Sequence, residues 1–388
     1  MSGSSSLRVY VSCAPGLEPY LTNEIRSLGV SLSETGNTSK TSALQGAEEE
    51  KGGIEFSGDE QQVYLCNLHL RTASRVVVRL GEFYAAAFSE LRKKAGRLEW
   101  ERYLSPGQPV EVKVTCHKSR LYHSDAVAER ILGAIEDRLH KPVKTESTIS
   151  SRQLVLVRLV NDLCTISIDS SGELLHRRGY RQAVAKAPLR ETLAAGLLSA
   201  SGWQPGIPLV DPFCGSGTIP IEAALIARGI APGINRRFAF QNWSNFKADL
   251  YQSILDTARK NIKPSESSIY ASDRDHGAIE MATANAARTG VNQDIHFACH
   301  ALSDLPVQPE AGWIITNPPY GLRVSSSKDL RNLYASLGKL LRTEFHDWSL
   351  GLLCSDIKLV GALELGKPKT SNSLLNGGIP VKFSIFIR

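Results

Sequence analysis

The sequence predicts an α/β chain in two parts: a doubly wound, mostly parallel sheet in the second half, preceded by an α+β region. Three observations predict this. From Pro188 onward, short apolar runs alternate with helical ones in repeated β-α-β order. Over the first ~170 residues strands and helices alternate in shorter pieces, and two strands are joined by a hairpin signal. The composition, 42% hydrophobic and 22% charged over 388 residues, is that of a globular protein and excludes wholesale disorder.

Taken in order, Leu7–Ser12 reads as a strand, and Leu17–Leu28 as a helix with Leu17, Leu21, Ile25 and Leu28 on one face. Residues 31–53 are rich in Ser, Thr, Gly and Glu, could supply no core, and read as a mobile surface loop. Gly53–Phe56 resumes as a strand, Asp59–Leu68 as a helix, Arg75–Leu80 as a strand and Ala86–Gly96 as a helix. Pro109–Thr115 alternates strictly, the mark of a half-buried strand. Ser124–Leu139 carries Val127, Ile131, Ile135 and Leu139 on one face, with Ser124 placed to cap it. Leu154–Leu159 and Cys164–Asp169 flank Asn161-Asp162, the hairpin signal. Past the helix Leu189–Ala200, strands are expected at Pro208–Asp211, Ile269–Asp273, Asp294–Ala298, Trp313–Thr316, Trp348–Leu353 and Val381–Ile387. Helices are expected at Ile219–Arg228, Lys247–Asn261, Asp275–Thr289 and Lys328–Leu341.

Charge and cysteine usage narrow the class. Lys+Arg 45 against Asp+Glu 39 gives a formal +6, a mild basic bias compatible with a nucleic-acid partner. No apolar run approaches the ~20 residues that cross a bilayer. The seven cysteines form no C-x-x-C pair, the pattern of reduced thiols in the cytoplasm or an organelle, and the nine histidines show no metal-ligand spacing. No metal is expected, and oligomeric state is not legible.

The first chemical signal is Pro208–Thr218, a strand ending in Asp211, a turn with Gly215 and Gly217, and then a helix. Glycines allow a tight turn and close approach to a ligand, and the helix start offers unpaired N–H groups. Asp273 closes the next strand, where a carboxylate can accept from ribose hydroxyls. A nicotinamide fingerprint needs a third glycine, where Pro220 stands, and an acid about 20 residues on, much nearer than Asp273. The second signal is Asn317-Pro318-Pro319-Tyr320 after an apolar strand. The prolines stiffen the chain and leave the Asn317 side-chain oxygen and the Pro318 carbonyl as fixed acceptors beside a ring able to stack on a base. Two acceptors and a stacking ring suit the exocyclic amine of a planar base. Asn is no base at neutral pH, so its expected role is positioning.

Asp211–Thr218 resembles motif I of S-adenosylmethionine-dependent methyltransferases, and Asn317–Tyr320 resembles motif IV of amino-directed nucleic-acid methyltransferases. With Leu175–Arg181, Ala187–Ala195, Asn317–Arg323 and Asn376-Gly377-Gly378, the chain is similar to the THUMP-domain guanine-N2 methyltransferases of large-subunit rRNA. Ala14–Leu21, Trp100–Tyr103 and Asp169–Gly172 extend the resemblance upstream. It implies a ferredoxin-like segment over 1–75, a THUMP RNA-binding domain over 76–175, a basic linker over 176–186, and a Rossmann-like methyltransferase domain over 187–388. It further implies Asp211, Phe213, Gly215, Ser216, Gly217 and Asp273 around S-adenosylmethionine, and Asn317, Pro318 and Tyr320 around the target guanine. Such enzymes often carry an acid after the third strand to hold the adenine amino group. Ala301 stands there, and Asp304 is the nearest substitute. The implied partner is structured RNA, rRNA or tRNA. A vestigial RNA-binding assembly factor is the reading from another class, which Ala301 favours.

Three further features need weighing. From His176 to Arg190 the chain has Arg177, Arg178, Arg181, Lys186 and Arg190 and no acid. With Tyr180 this reads as a phosphate-contacting strip, against a solvated linker. Cys214 lies in the glycine loop without a neighbour to activate it as a nucleophile. Asn242–Phe246 suits a cleft wall, a core or a lid equally.

Overall fold

The computed structural model describes residues 6–32, 52–142, 152–181, 189–266, 268–307, 310–320, 327–376 and 378–388. Most of the loop expected at 31–53, Lys186 of the basic strip, Gly321–Arg323 and Gly377 lie outside the described residues. Two compact units form, and neither is contiguous in sequence. One comprises Met1–Ser12, Ile25–Leu175 and Arg236–Asp256; the other comprises Cys13–Glu24, His176–Asn235 and Thr257–Arg388.

The first unit is built on a six-stranded sheet of β1 (Leu7–Cys13), β2 (Gly53–Gly58), β3 (Ala73–Tyr84), β4 (Val110–His117), β5 (Gln153–Val160) and β6 (Leu163–Asp169), in the order β2-β1-β3-β6-β5-β4. Its printed pairs are antiparallel except β4 with β5. The boundary expected from the sequence between residues 75 and 76 lies within β3, an interior strand of this one continuous sheet. The β5–β6 hairpin turns at Asn161 and Asp162, with φ of 51° and 65°, the left-handed region that a tight two-residue hairpin demands. Helices α1 (Glu18–Ser27), α2 (Glu60–His69), α3 (Phe88–Ala95) and α4 (Ser124–Leu139) agree with the periodicity within a few residues. Asp59 caps α2 in a reciprocal box with Gln62. At α4 the cap position is His123, not Ser124, and no side chain caps it.

Residues 236–256 follow the glycine-loop helix in sequence yet belong to this first unit. The Phe240 ring stacks on Tyr64 of α2 with centroids 4.4 Å apart, and Tyr251 meets Phe240 edge-on at 5.1 Å. Trp243 is buried, and its Nε1 donates to Gln153 Oε1 at 3.0 Å. Trp243 is therefore core, which decides between the three readings that Asn242–Phe246 allowed.

The second unit carries a seven-stranded sheet: β7 (Leu209–Asp211), β8 (Ile269–Asp273), β9 (His296–Cys299), β10 (Trp313–Thr316), β11 (Ser349–Cys354), β12 (Thr370–Asn376) and β13 (Ile379–Phe386). The order is β12-β13-β11-β10-β7-β8-β9. The five strands from β11 to β9 run parallel, and β13 and β12 add antiparallel. Its helices are α5 (Glu191–Ser201), α6 (Thr218–Ala227), α7 (Ala248–Lys260, whose first turns lie in the other unit), α8 (His276–Thr289), α9 (Ser327–Thr343) and α10 (Ile357–Gly361). Val210, Ile314, Leu350 and Leu352 of the strands meet Tyr334, Leu337 and Leu341 of α9 in one buried cluster. Burying each such aliphatic side chain contributes roughly 1.5–3 kcal/mol. Residues 13–24 dock here too: Gly16, at φ +93°, lies so close to β12 that a Cβ would fall 2.3 Å from the Ser373 carbonyl oxygen. Asn372 Nδ2 donates to the Tyr20 hydroxyl at 2.8 Å.

Candidate active site

Between β7 and β10 the strand order reverses, so connections leave the sheet in opposite directions and open a crevice at the strands' carboxyl ends. The glycine loop follows β7, and Asn317–Tyr320 follows β10. The two signals read from the sequence therefore meet at adjacent strand ends.

Asp211 is fully buried and joins them. Its Oδ1 accepts from Thr316 Oγ1 at 2.6 Å and from the Phe213 amide at 3.2 Å. Burial pushes its carboxyl up to about 7, against the pull of those two hydrogen bonds. Asp273 at the end of β8 is half-buried. Its Oδ2 accepts from the Gly215 amide at 3.1 Å and its Oδ1 from the Asp275 amide at 3.1 Å. Gly215 and Gly217 have φ of 50° and 80°, and a Cβ on Gly215 would meet nothing within 4 Å. The loop thus leaves an open cradle above its backbone, ahead of the unpaired amides of α6. Ser216 is buried, with its carbonyl accepting from Asn285 Nδ2 at 3.0 Å. Cys214 is buried too, and burial pushes its thiol well up, away from an activated thiolate. Ala301 precedes the short turn Leu302–Asp304, whose Asp304 carboxylate is exposed and accepts from Ser303 Oγ at 3.2 Å.

On the β10 side, Asn317 Oδ1 is buried and has no hydrogen-bond partner among the described residues. Pro318 is buried. The Tyr320 ring is half-buried at the edge of the α9 cluster, and its hydroxyl accepts from Asn376 Nδ2 at 3.2 Å. Burial pushes this phenol up, so it stays neutral. Tyr334 of α9 donates to the Pro319 carbonyl at 3.4 Å and steadies the diproline. Thr316, Tyr334 and Asn376 are site residues that the sequence did not single out for these roles. The terminal Asn-Gly-Gly was a signal for Asn376, but what it touches was not legible.

The basic strip is corrected. Arg178 is buried, with its Nε donating to Glu222 Oε1 at 2.7 Å. Arg181 donates through Nη2 to Thr218 Oγ1 and the Leu189 carbonyl, each at 2.7 Å. The Arg178 guanidinium is thus enclosed with its carboxylate and closed to a phosphate, and Arg181 Nη2 is already taken by two acceptors. Of the three arginines expected to touch RNA, Arg177 alone is exposed. Residues 176–181 also lie in the second unit, so they are not a linker outside it.

Among the described residues no group of three or more His, Cys, Asp or Glu side chains could hold a metal, and no helix is long and apolar enough to cross a membrane.

Residues 178–381 match the RMKL-like methyltransferase domain family, 40–77 an RlmL ferredoxin-like domain and 85–169 a THUMP domain. A Synechocystis protein, provisionally named an RNA methyltransferase, is 31% identical over 97% of this chain and 96% of its own. The ribosomal RNA large subunit methyltransferase K/L of Syntrophotalea carbinolica is 33% identical over 98% of this chain but 53% of its own. The chain thus spans about half the length of that relative. The crystal structure of SMU.472, provisionally a methyltransferase and solved with S-adenosylhomocysteine, superposes with a TM-score of 0.87, 29% identity and 98% of both chains.

Proposed function

Since the chain belongs to the RMKL-like methyltransferase family, we propose that it moves a methyl group from S-adenosylmethionine to N2 of a guanine in RNA, with large-subunit rRNA as target. The observation that carries this reading is the buried Asn317 Oδ1, which has no hydrogen-bond partner among the described residues. Leaving an acceptor buried without a donor costs about 1–3 kcal/mol, and an incoming amine N–H would supply the missing bond.

The residues present fit the cofactor. The cradle at Gly215 has room for the amino-acid moiety, and Asp273, with one acceptor site per oxygen still open, would take the ribose hydroxyls. When bound, the cofactor supplies an electrophilic methyl group on a sulfonium. Asn317 Oδ1 and the Pro318 carbonyl accept the two N–H bonds of the guanine amine. This turns the nitrogen lone pair out of the ring and towards the methyl group. The Tyr320 ring, held by Asn376, stacks on a base extruded from its helix. No side chain need act as a base before transfer, because the methylated amine is strongly acidic and sheds its proton to water. The THUMP-bearing unit supports RNA rather than a free nucleotide as substrate.

The test is mass spectrometry of nucleosides from rRNA and tRNA incubated with the protein and S-adenosylmethionine. N2-methylguanosine in the large-subunit rRNA fraction is expected. N6-methyladenosine would replace the base assignment, label in tRNA alone would replace the target, and no product with cofactor bound would point to a vestigial site.

A further inference from the structure

We infer that His176–Arg181 is an internal clamp on the cofactor loop, with Arg181, Asn285 and Arg288 as positioning residues for S-adenosylmethionine. The inference rests on the cofactor assignment proposed above.

Helix α6 begins at Thr218, directly after the glycine loop. Thr218 and Glu222 are four residues apart, so they share one face of the helix. The arginine segment grips that face at both positions. Arg181 Nη2 donates to Thr218 Oγ1 at 2.7 Å, while Arg178 Nε and the Tyr180 hydroxyl both donate to Glu222 Oε1, at 2.7 and 3.2 Å. The Arg178 and Glu222 side chains are only 2% and 0% exposed. A second line reaches the loop from α8. Arg288 Nη1 donates to the Tyr180 carbonyl at 3.2 Å and to Asn285 Oδ1 at 2.8 Å. Asn285 Nδ2 in turn donates to the Ser216 carbonyl at 3.0 Å. Ser216 and Thr218, on either side of Gly217, are thus both tied to residues 180–181.

Such a tie has a physical use. A loop with two glycines at positive φ loses much conformational freedom when it orders around a ligand. Fixing it beforehand removes that cost from binding, so the clamp raises cofactor affinity without touching the cofactor. It also explains how Arg178 and Arg181 turn inward from a stretch without acids: their carboxylate partners, Glu222 and Glu191, arrive from α6 and α5.

The experiment is calorimetric titration of S-adenosylmethionine into the full chain and its variants, with thermal melts alongside. Thr218→Val is nearly isosteric and removes only the hydroxyl; it should bind about tenfold more weakly, the loss expected for one charge-assisted hydrogen bond, while its melting temperature falls by only a few degrees. Thr218→Ser should restore affinity to within a few-fold. Arg181→Met should cost a similar factor, and Thr218→Val added to it should cost little more, because both remove one interaction. Affinity for rRNA fragments, and its salt dependence, should stay at the parent value in Arg181→Met. Unchanged cofactor affinity in Thr218→Val would overturn the clamp, as would a flattened salt slope for RNA in Arg181→Met. If Arg181→Met does not fold, Thr218→Val and Thr218→Ser still decide the matter. A parent chain that binds no S-adenosylmethionine would overturn the functional reading itself, a different result from a parent that binds and a Thr218→Val that binds equally well.

Discussion

The glycine loop and the Asn317–Tyr320 segment leave adjacent strands of one sheet, yet they differ in how far the protein has satisfied them. Around the loop the carboxylates already have donors: Asp211 accepts from the Phe213 amide and the Thr316 hydroxyl, and Asp273 accepts from the Gly215 and Asp275 amides. On the other side Asn317 keeps a buried oxygen with no donor among the described residues. The difference teaches where the site is prepared and where it waits. A satisfied loop is a preorganised seat, whereas an unmet acceptor in the interior is destabilising until something brings the proton.

The largest expected effect tests the waiting side. Asn317→Ala should slow methyl transfer about 10²–10³-fold, with cofactor affinity within a few-fold of the parent. Its melting temperature should fall little, since the acceptor deleted has no partner among the described residues. A marked loss of stability in that melt would mean that the oxygen is paired in the folded protein, and the contrast between the two segments would collapse.

On the seat side, Asp273→Ala removes an acceptor of the Gly215 amide together with the proposed ribose ligand. Cofactor binding should weaken by roughly 1.5–3 kcal/mol in calorimetry. Unchanged affinity would place the ribose elsewhere.

The third prediction concerns pH and sharpens the account of Asp211. Its folded pKa is raised to about 7 by burial, against roughly 3.9 in an unfolded chain. Between these values the folded state holds a proton that the unfolded state has lost. Stability from this group is therefore fully present below about pH 4 and is lost as pH rises through about 7. Asp211→Asn can still accept from Thr316 and Phe213, and it should flatten that fall. Urea unfolding at pH 4, 5.5 and 7 compares the two proteins; parallel profiles would show that Asp211 does not titrate there.

The smallest effect is the most discriminating about chemistry. Cys214 is buried in the loop with its thiol pushed well up. Cys214→Ala should keep activity within a few-fold. Complete loss in a folded Cys214→Ala variant would reopen a covalent route.

Much of this was legible because the signals are local. The strand ends at Asp211, Asp273 and Thr316 follow from short apolar runs, and Gly215, Gly217 and the diproline advertise backbone geometry that few other residues provide. Strand β12 was missed because Thr370–Asn376 has neither strict alternation nor β-branched enrichment. It is held as a strand by pairing with β13. The arginine strip misled for another reason. Charge counted along the chain says nothing of carboxylates that arrive from elsewhere, and Glu222 lies 44 residues beyond Arg178.

By itself, then, the sequence determined most of the elements, the doubly wound class and the two loops at the strands' carboxyl ends, because periodicity and Gly or Pro backbone limits act within a few residues. The tertiary structure alone decided that residues 13–24 complete the seven-stranded unit, that 236–256 complete the other core, and that Arg178 and Arg181 face inward. It likewise decided that Asn376 holds Tyr320 and that Thr316 holds Asp211. Each of these is a contact between residues far apart in the chain, chosen by burial and hydrogen-bond satisfaction over the whole packed interior, and no local pattern encodes such a choice.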